Sequence, residues 1–202
     1  MKIYETRTAP NPRRVRMFLA EKGINLEYVQ IDLLKGENIS ADFREKNPFA
    51  KVPVLELDDG SYLSESMAIC RYFEALQPEP TLMGKTPMEQ AVIEMWQRRC
   101  ELYFMNLVGM CFQHSTGYFA DRMKPVKEWG EECFIGASKF MHMLNKHLAS
   151  NTYVAGEAFS VADITAFVTV DFARVIKLKA SDEYTHLRRW YELVNARPSA
   201  KA

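Results

Sequence analysis

The sequence predicts two domains of different class, a small α/β domain followed by an all-helical domain. Up to residue 76, short apolar runs typical of strands alternate with segments whose apolar residues recur at helical spacing. From residue 87 onward, long helical patterns follow one another and no strand pattern stands out. The segment between them, QPEPTLMGKTP, carries three prolines and a glycine, which is typical of a linker. We therefore expect domains at 1–76 and 88–202, joined by a linker at 77–87.

The first domain is predicted to run strand, helix, strand, short helix, strand, strand, helix. Its strand candidates are Lys2–Glu5, Leu26–Ile31, Val54–Leu57 and Ser61–Leu63. Apolar residues at i, i+3 and i+4 over 15–19 indicate the first helix, and Gly23 is its stop signal. Asp59-Gly60 suits a hairpin turn, and a second apolar helix face follows over 69–76. This order predicts one parallel crossover and one hairpin.

The second domain is predicted to contain long helices only. Their approximate ranges are 87–117, 125–149, 160–178 and 184–196. Thr86 as N-cap, Pro87 at the first helical position and Glu89 two residues later form a strong helix start. Ser160 and Asp163 form a second capping box, with aspartate in place of the usual Glu or Gln, so we interpret Asp163 as a folding element.

Composition narrows the range of partners. The 202 residues carry 26 basic and 26 acidic side chains, and 48% are apolar, as in a globular protein. This balance favours neither a nucleic acid nor a membrane as partner. The densest basic cluster, Arg13, Arg14 and Arg16, is interpreted as a solvated helix face. The N-terminus lacks a secretory signal and no apolar run is long enough to span a membrane, so we expect a cytoplasmic protein.

The cysteines and histidines lack the spacing of a metal site or a disulfide framework. There is no CxxC or HExxH pattern, so we expect reduced thiols in a cytosolic protein and no bound metal. Cys70 lies in the helix over 69–76 and is interpreted as a small buried thiol. The eight residues are Cys70, Cys100, Cys111, Cys133, His114, His142, His147 and His186.

A carboxylate and a hydroxyl, Glu65 and Ser66, stand where the helix over 69–76 begins. The first turn of a helix offers unpaired N–H groups and about half a positive charge, which attract a carboxylate. Ser66 adds a hydroxyl donor, and Glu65 can accept from an ammonium group beside that carboxylate. Together they would bind the head group of an α-amino acid. The alternative is that Ser64 caps the helix and Glu65 only complements its dipole.

Pro53 lies between two valines at the mouth of the third predicted strand. Because proline cannot donate to a strand ladder, it marks an edge or a special turn. A cis Val52–Pro53 bond would turn the Val52 backbone toward solvent, free to pair with an extended peptide. Lys51 could meet a second carboxylate, or could simply be solvated.

These residues belong to a series of motifs that extends along the whole chain. The series is Asn47-Pro48, Lys51-Val52-Pro53, Leu55, Asp59-Gly60, Leu63, Glu65-Ser66, Ala68-Ile69, Ser160–Asp163, Trp190 and Arg197-Pro198-Ser199. In this order it resembles the cytosolic glutathione transferase superfamily. The resemblance implies a thioredoxin-like first domain, a cis proline at Pro53, glutathione as co-substrate and a homodimer. It also implies that Val52 pairs with the cysteinyl backbone of glutathione. Glu65 and Ser66 would then hold its γ-glutamyl end, with Lys51 near the glycyl carboxylate.

Activation of the glutathione thiol is where the sequence departs from the family. A thiol with a pKa of ~8.5 is only a few per cent ionised at pH 7, and lowering that pKa by two units requires ~2.7 kcal/mol of thiolate stabilisation. The family's usual serine or cysteine position falls on Ala9, which donates nothing. Ala9-Pro10-Asn11 resembles a Thr-Pro-Asn motif of a bacterial subgroup, with alanine in place of threonine.

Asn11 is therefore the first candidate for the thiol partner, since its amide NH2 could donate to sulfur. Asn11-Pro12 is interpreted as a helix N-cap followed by a first-turn proline, a role compatible with that donation. Thr8 and Tyr4 are the other candidates. Backbone groups alone, or no activation at all, stay open.

Four residues of the second domain recur along one face of its first helix. They are Tyr103, Leu107, Met110 and His114. The resemblance implies that this helix borders the electrophile pocket, so these residues are candidates for a substrate pocket; the alternative is a domain or dimer core. His114 could titrate near neutrality, but as a lone histidine it is interpreted as structural.

The functional prediction is a glutathione S-transferase that transfers the glutathione thiolate to a hydrophobic electrophile. Two alternatives stay open, a glutathione-dependent disulfide reductase and a non-catalytic interaction or regulatory protein of the same fold. The alanine at position 9 keeps the second alternative open, because it removes the usual thiol donor.

Overall fold

The polypeptide divides into two units in a computed structural model that describes residues 1–202. Unit 1 comprises Met1–Thr81 together with the C-terminal segment Pro198–Ala202, and unit 2 comprises Leu82–Arg197. The C-terminal segment is held to unit 1 by a hydrogen bond from Arg13 Nη2 to the carbonyl of Ala200, at 3.1 Å.

Unit 1 is built on a four-stranded mixed sheet in the order β2-β1-β3-β4. The strands are β1 (Lys2–Glu5), β2 (Glu27–Gln30), β3 (Val54–Glu56) and β4 (Tyr62–Ser64). β1 pairs with β2 in parallel, whereas β3 pairs with both β1 and β4 in antiparallel orientation. The predicted parallel crossover and hairpin are therefore confirmed.

Three helices accompany this sheet: α1 (Pro10–Lys22), α2 (Ala41–Lys46) and α3 (Ser66–Leu76). Gly23 ends α1 with a left-handed φ of 67°, as its predicted stop role requires. The predicted N-cap at Asn11 is wrong. Ala9 is the N-cap, because Pro10 already has the φ of a helical residue and holds the residue before it in an extended conformation.

Two arginines of α1 are buried, so the prediction of a solvated basic face is wrong for them. Arg14 is 0% exposed and Arg16 is 6% exposed. Arg16 pairs with the buried carboxylate of Glu5 and donates to the carbonyl of Arg7 at 2.8 Å. Gln30 donates to the same carboxylate at 2.8 Å. Glu5 therefore pairs the charge of Arg16 inside the unit, as a buried charge requires.

Unit 2 is all-helical, as predicted. Its helices are α4 (Pro87–Cys100), α5 (Asn106–Ser115), α6 (Lys127–His147), α7 (Val161–Phe172) and α8 (Thr185–Asn195). The capping boxes at Thr86 and Ser160 are both formed. The helix predicted over 87–117 is interrupted by a π-helical segment, Glu101–Met105. None of the helices has the length and apolar character needed to cross a membrane.

Asp163 ties three segments of unit 2 together. Its fully buried carboxylate accepts hydrogen bonds from the backbone N–H of Val154 (2.8 Å), from Trp190 Nε1 (2.8 Å), and from the backbone N–H and hydroxyl of Ser160 (3.0 and 3.1 Å). Burial raises the pKa of Asp163 to about 6 against the opposing effect of these hydrogen bonds. The contacts agree with the structural role predicted for this residue.

Candidate active site

The strand register brings the predicted site residues of unit 1 to one end of the sheet. Tyr4 of β1 lies opposite Val54 of β3, and Val54 lies opposite Ser64 of β4. The chain leaving β1, the chain entering β3 and the chain leaving β4 therefore meet at the same sheet end. Val52 and Glu65, each just outside its strand, belong to this end.

The loop that enters β3 is held by two buried asparagines. Asn38 Nδ2 donates to the carbonyl of Ala50 at 2.8 Å, and Asn47 Nδ2 donates to that of Lys51 at 2.9 Å. The Val52–Pro53 peptide bond is cis, which confirms the prediction. Val52 lies outside β3, and its backbone makes no hydrogen bond to the rest of the unit. Its N–H and C=O are thus available to an extended ligand.

The start of α3 is uncapped by any side chain. Glu65, not Ser64, is the N-cap, and its backbone has φ 69° and ψ 114°. A positive φ is uncommon outside glycine and is found at sites where the surrounding structure fixes the backbone. The Glu65 side chain is exposed and makes no hydrogen bond within the unit. The first-turn N–H groups of α3 and a free carboxylate therefore stand side by side.

Ser66, the first residue of α3, is only 6% exposed. Its hydroxyl oxygen accepts a hydrogen bond from Arg14 Nη1 at 3.2 Å. The hydroxyl is therefore held in place by α1 and can still donate its own hydrogen.

The loop between β1 and α1 places the candidate thiol partners. A turn closes with the Ala9 N–H donating to the carbonyl of Thr6 at 3.0 Å. Thr8 lies within this turn and is exposed, as is Asn11 in the first turn of α1. Because Pro10 and the proline that follows Asn11 have no N–H, Asn11 offers both a backbone and a side-chain donor at the positive end of the helix dipole.

Tyr4 points its hydroxyl at a carboxylate instead. The hydroxyl donates to Glu56 Oε2 at 2.6 Å. Burial, reinforced by this hydrogen bond, raises the pKa of Tyr4, while the same bond lowers the pKa of Glu56. The Tyr4 hydroxyl is thus committed to a partner within the sheet, and we drop it as a thiol donor.

Comparison with known proteins gives the family. Residues 8–76 match the family model of the glutathione S-transferase N-terminal domain, and residues 110–198 match that of the C-terminal domain. Glutathione S-transferase 2 of Saccharomyces cerevisiae is 42% identical over 205 residues, covering 100% of this chain and 88% of that protein. The chain belongs to the glutathione S-transferase family. The protein is therefore an enzyme of the glutathione S-transferase class. Its unit 1 is a thioredoxin-like domain.

Solved structures and a further relative complete the comparison. The crystal structure of Gtt2 from Saccharomyces cerevisiae superposes on the transferase with a TM-score of 0.95, covering 100% of this chain and 99% of that one at 42% identity. A probable elongation factor 1-gamma 1 of Arabidopsis thaliana is 34% identical over 89% of this chain and 45% of its own length. A related sequence therefore also occurs within a longer protein with a different name.

Unit 2 of the transferase has an open groove of about 390 Å³ between its helices. Its lining includes Tyr103 and Leu107, with Phe140 of α6 opposite, but neither Met110 nor His114. His114 Nδ1 accepts the backbone N–H of Val126 at 2.9 Å and so holds the chain before α6.

The sequence did not predict which residues hold the site loops and the Ser66 hydroxyl in place. Arg14 was assigned to the surface, Asn38 was not singled out, and Asn47 was noted only as part of the motif series. Arg14 carried a weak signal, since it lies one position before Val15 in the apolar segment of α1. Asn38 carried none, because its partner is a carbonyl group that no sequence pattern marks.

Proposed function

We propose that this glutathione S-transferase binds reduced glutathione at the sheet end of unit 1 and transfers its thiolate to a hydrophobic electrophile. One observation carries the proposal: the uncapped start of α3 presents Glu65 and Ser66 at the sheet end where the Val52 backbone is also unpaired. An α-carboxylate would bind the α3 amides and the Ser66 hydroxyl, and the neighbouring ammonium would bind Glu65. Val52 would pair with the cysteinyl backbone, and Lys51, which is exposed, would face the glycyl carboxylate.

Asn11 is proposed as the thiol partner, with Thr8 as the second candidate. The first turn of α1 offers one residue with a backbone N–H, an amide side chain and the positive end of the dipole. Donation to sulfur favours the thiolate and lowers the thiol pKa. The thiolate then forms a bond to the electrophilic carbon, the leaving group departs with its electron pair, and the thiol proton passes to solvent. We propose that the pocket for that electrophile involves the predicted set Tyr103, Leu107, Met110 and His114.

Substitution of Glu65 tests the proposed binding of the γ-glutamyl head group. Glu65→Ala should raise the Kd for reduced glutathione about 10- to 100-fold, because a charge-assisted hydrogen bond contributes about 1.5–3 kcal/mol. Glu65→Gln keeps the acceptor oxygen without the charge and should lie between the two. The affinities are measured by calorimetric titration. Unchanged affinity in Glu65→Ala would show that the head group binds elsewhere.

Substitution of Asn11 tests the thiol partner. Asn11→Ala should leave the Kd for glutathione nearly unchanged but raise the pKa of the bound thiol and lower kcat at pH 7. The thiolate is followed by its ultraviolet absorbance as a function of pH. Thr8→Ala is the matched control in the same loop, and an effect confined to that variant would transfer the role to Thr8. Full turnover and an unaltered thiol pKa in Asn11→Ala would remove it from the mechanism.

A second candidate function is that of an interaction module. Ala9 lacks the donor that the family usually places at this position, and the similarity to an elongation factor 1-gamma extends over most of the chain. Saturable binding of one glutathione per subunit with turnover of an electrophile supports the transferase. Binding with turnover of a disulfide only would support the reductase alternative, and no binding at millimolar glutathione would support the interaction module.

We also propose a cytoplasmic homodimer. Phe49, in the loop before β3, is 74% exposed, and unit 2 carries the open apolar groove described above. Both are surfaces that a second copy of the chain could cover. Sedimentation equilibrium tests this directly, and a monomer at micromolar concentration would refute it.

A further inference from the structure

A buried cation lies directly behind the proposed carboxylate subsite. Arg14 is 0% exposed, and its Nη1 lies 3.2 Å from the hydroxyl oxygen of Ser66. Burying an arginine costs free energy unless its guanidinium is paired or hydrogen-bonded. One of the hydrogen bonds of Arg14 goes to the hydroxyl at the start of α3. Within unit 1 this contact links α1 to the first residue of α3.

The chemistry of the two groups fixes the direction of the hydrogen bond. A guanidinium has donors only, so the Ser66 oxygen must be the acceptor. A serine hydroxyl has one hydrogen, and that hydrogen cannot point along the line already occupied by the Arg14 N–H. The hydroxyl is therefore left to donate to another acceptor, while the positive charge of Arg14 polarises it.

We infer that Arg14 is a positioning residue that holds the Ser66 hydroxyl as a donor toward the α-carboxylate of the bound ligand. The inference rests on the proposed function, since it concerns the same glutathione subsite. Arg14 itself makes no contact with the ligand in this account. It acts through Ser66, and it contributes to selection of tripeptides that carry an α-carboxylate on the γ-linked residue.

The test compares two ligands that differ only in that carboxylate. They are reduced glutathione and 4-aminobutyryl-cysteinylglycine, which lacks it. Calorimetry gives the preference of each variant as a ratio of Kd values. The wild type should prefer glutathione about 10-fold or more, and Arg14→Met should reduce this preference at least about fivefold. Arg14→Lys, which keeps a charged donor, should restore most of it.

Ser66→Ala and the double variant show whether Arg14 acts through Ser66. Arg14→Met should have little further effect in the Ser66→Ala background, whereas equal effects in both backgrounds would overturn the inference. Lys22→Met is the matched control, because Lys22 is another buried cation of α1 whose bonds go to Glu74 and the chain after α3. It should lower stability and leave the ligand preference intact.

The outcomes separate the inference from the proposed function. Absence of glutathione binding in the wild type would overturn both. Binding with an unchanged preference in folded Arg14→Met, or no preference in the wild type, would overturn the inference alone. If Arg14→Met does not fold, arginine-labelled wild type replaces it in a nuclear magnetic resonance titration. Glutathione should then shift the Arg14 guanidinium signals more than the analogue does, and equal shifts would overturn the inference.

Discussion

Asn substitution at Asp163 sets two physical effects against each other. The carboxylate is fully buried, which raises its pKa, and it accepts four hydrogen bonds, which lower it. Burial prevails, with a pKa of about 6 against an ordinary value of 3.8. Asp163→Asn keeps the shape of the side chain but does not titrate. The pH dependence of the difference in stability between the two proteins therefore isolates the ionisation of this one group.

The sign follows from proton binding. Between pH 4 and pH 6 the folded protein holds a proton on Asp163 that the unfolded chain has released, so raising the pH favours unfolding. The stability due to the raised pKa is present below about pH 4 and is lost as the pH rises through about 6. The two pKa values differ by about two units, which corresponds to about 3 kcal/mol. At pH 7 Asp163→Asn should cost about 2 kcal/mol, because the amide nitrogen of asparagine cannot accept the hydrogen bonds that a carboxylate oxygen accepts. At pH 4 the raised pKa of Asp163 adds about 3 kcal/mol to the wild-type stability, so the substitution should cost about 5 kcal/mol.

Urea unfolding at several pH values measures this difference. All three tryptophans, Trp96, Trp129 and Trp190, lie in unit 2, so their fluorescence reports unfolding where Asp163 acts. The wild-type stability minus the variant stability should fall between pH 4 and pH 7. Ser160→Ala removes one donor to the Asp163 carboxylate and so should raise its pKa further. In a Ser160→Ala background, the stability cost of Asp163→Asn should therefore fall more between pH 4 and pH 7. A difference that instead grows with pH would refute the reasoning, because the four hydrogen bonds would then outweigh burial.

Further stability predictions concern buried contacts in each unit. Lys22→Met should destabilise unit 1 by about 3–5 kcal/mol, because Glu74 would lose the ammonium group that lies 2.5 Å from its carboxylate. Urea unfolding followed by circular dichroism measures this loss. Removing Glu74 as well should recover part of the stability, and no recovery would refute the pairing. Gly130→Ala should cost about 1–3 kcal/mol by tryptophan fluorescence, because the added methyl would lie against the Ser115 hydroxyl and the backbone that precedes it. Gly109→Ala, where nothing lies within 4 Å, should instead stabilise unit 2 by up to about 1 kcal/mol; equal effects at both glycines would contradict the close approach.

The features predicted correctly from sequence are those whose interactions are local. A capping box satisfies helix N–H groups through residues three positions apart, so the sequence around Thr86 and around Ser160 contains the whole interaction. The stop at Gly23 is likewise a property of one residue in a left-handed conformation. The hairpin turn at Asp59-Gly60 also fixed the juxtaposition of the candidate site, because β3 and β4 bring the residues before and after them together.

The features missed depend on partners distant in sequence. Arg14 and Arg16 have the composition of a surface patch, and their contacts include Ser66 and Glu5, which lie far from them in sequence or on another element. The π segment within the helix predicted over 87–117 is another case, because apolar spacing does not distinguish one wider turn from a regular helix. Of the predicted pocket face, Tyr103 and Leu107 line the groove.

The first turn of α1 shows how a missing side chain can be offset by backbone chemistry. Ala9 supplies no donor, and Pro10 supplies neither a side-chain donor nor an N–H. A thiolate at this helix end would find its donors concentrated on Asn11, which is exposed and has no competing partner. The prolines also fix φ in this turn, so the backbone N–H of Asn11 is held in place before a ligand binds. Thiol activation in this transferase would then depend on the helix end as a unit rather than on a single hydroxyl. For that reason removal of the Asn11 side chain should weaken activation without abolishing it.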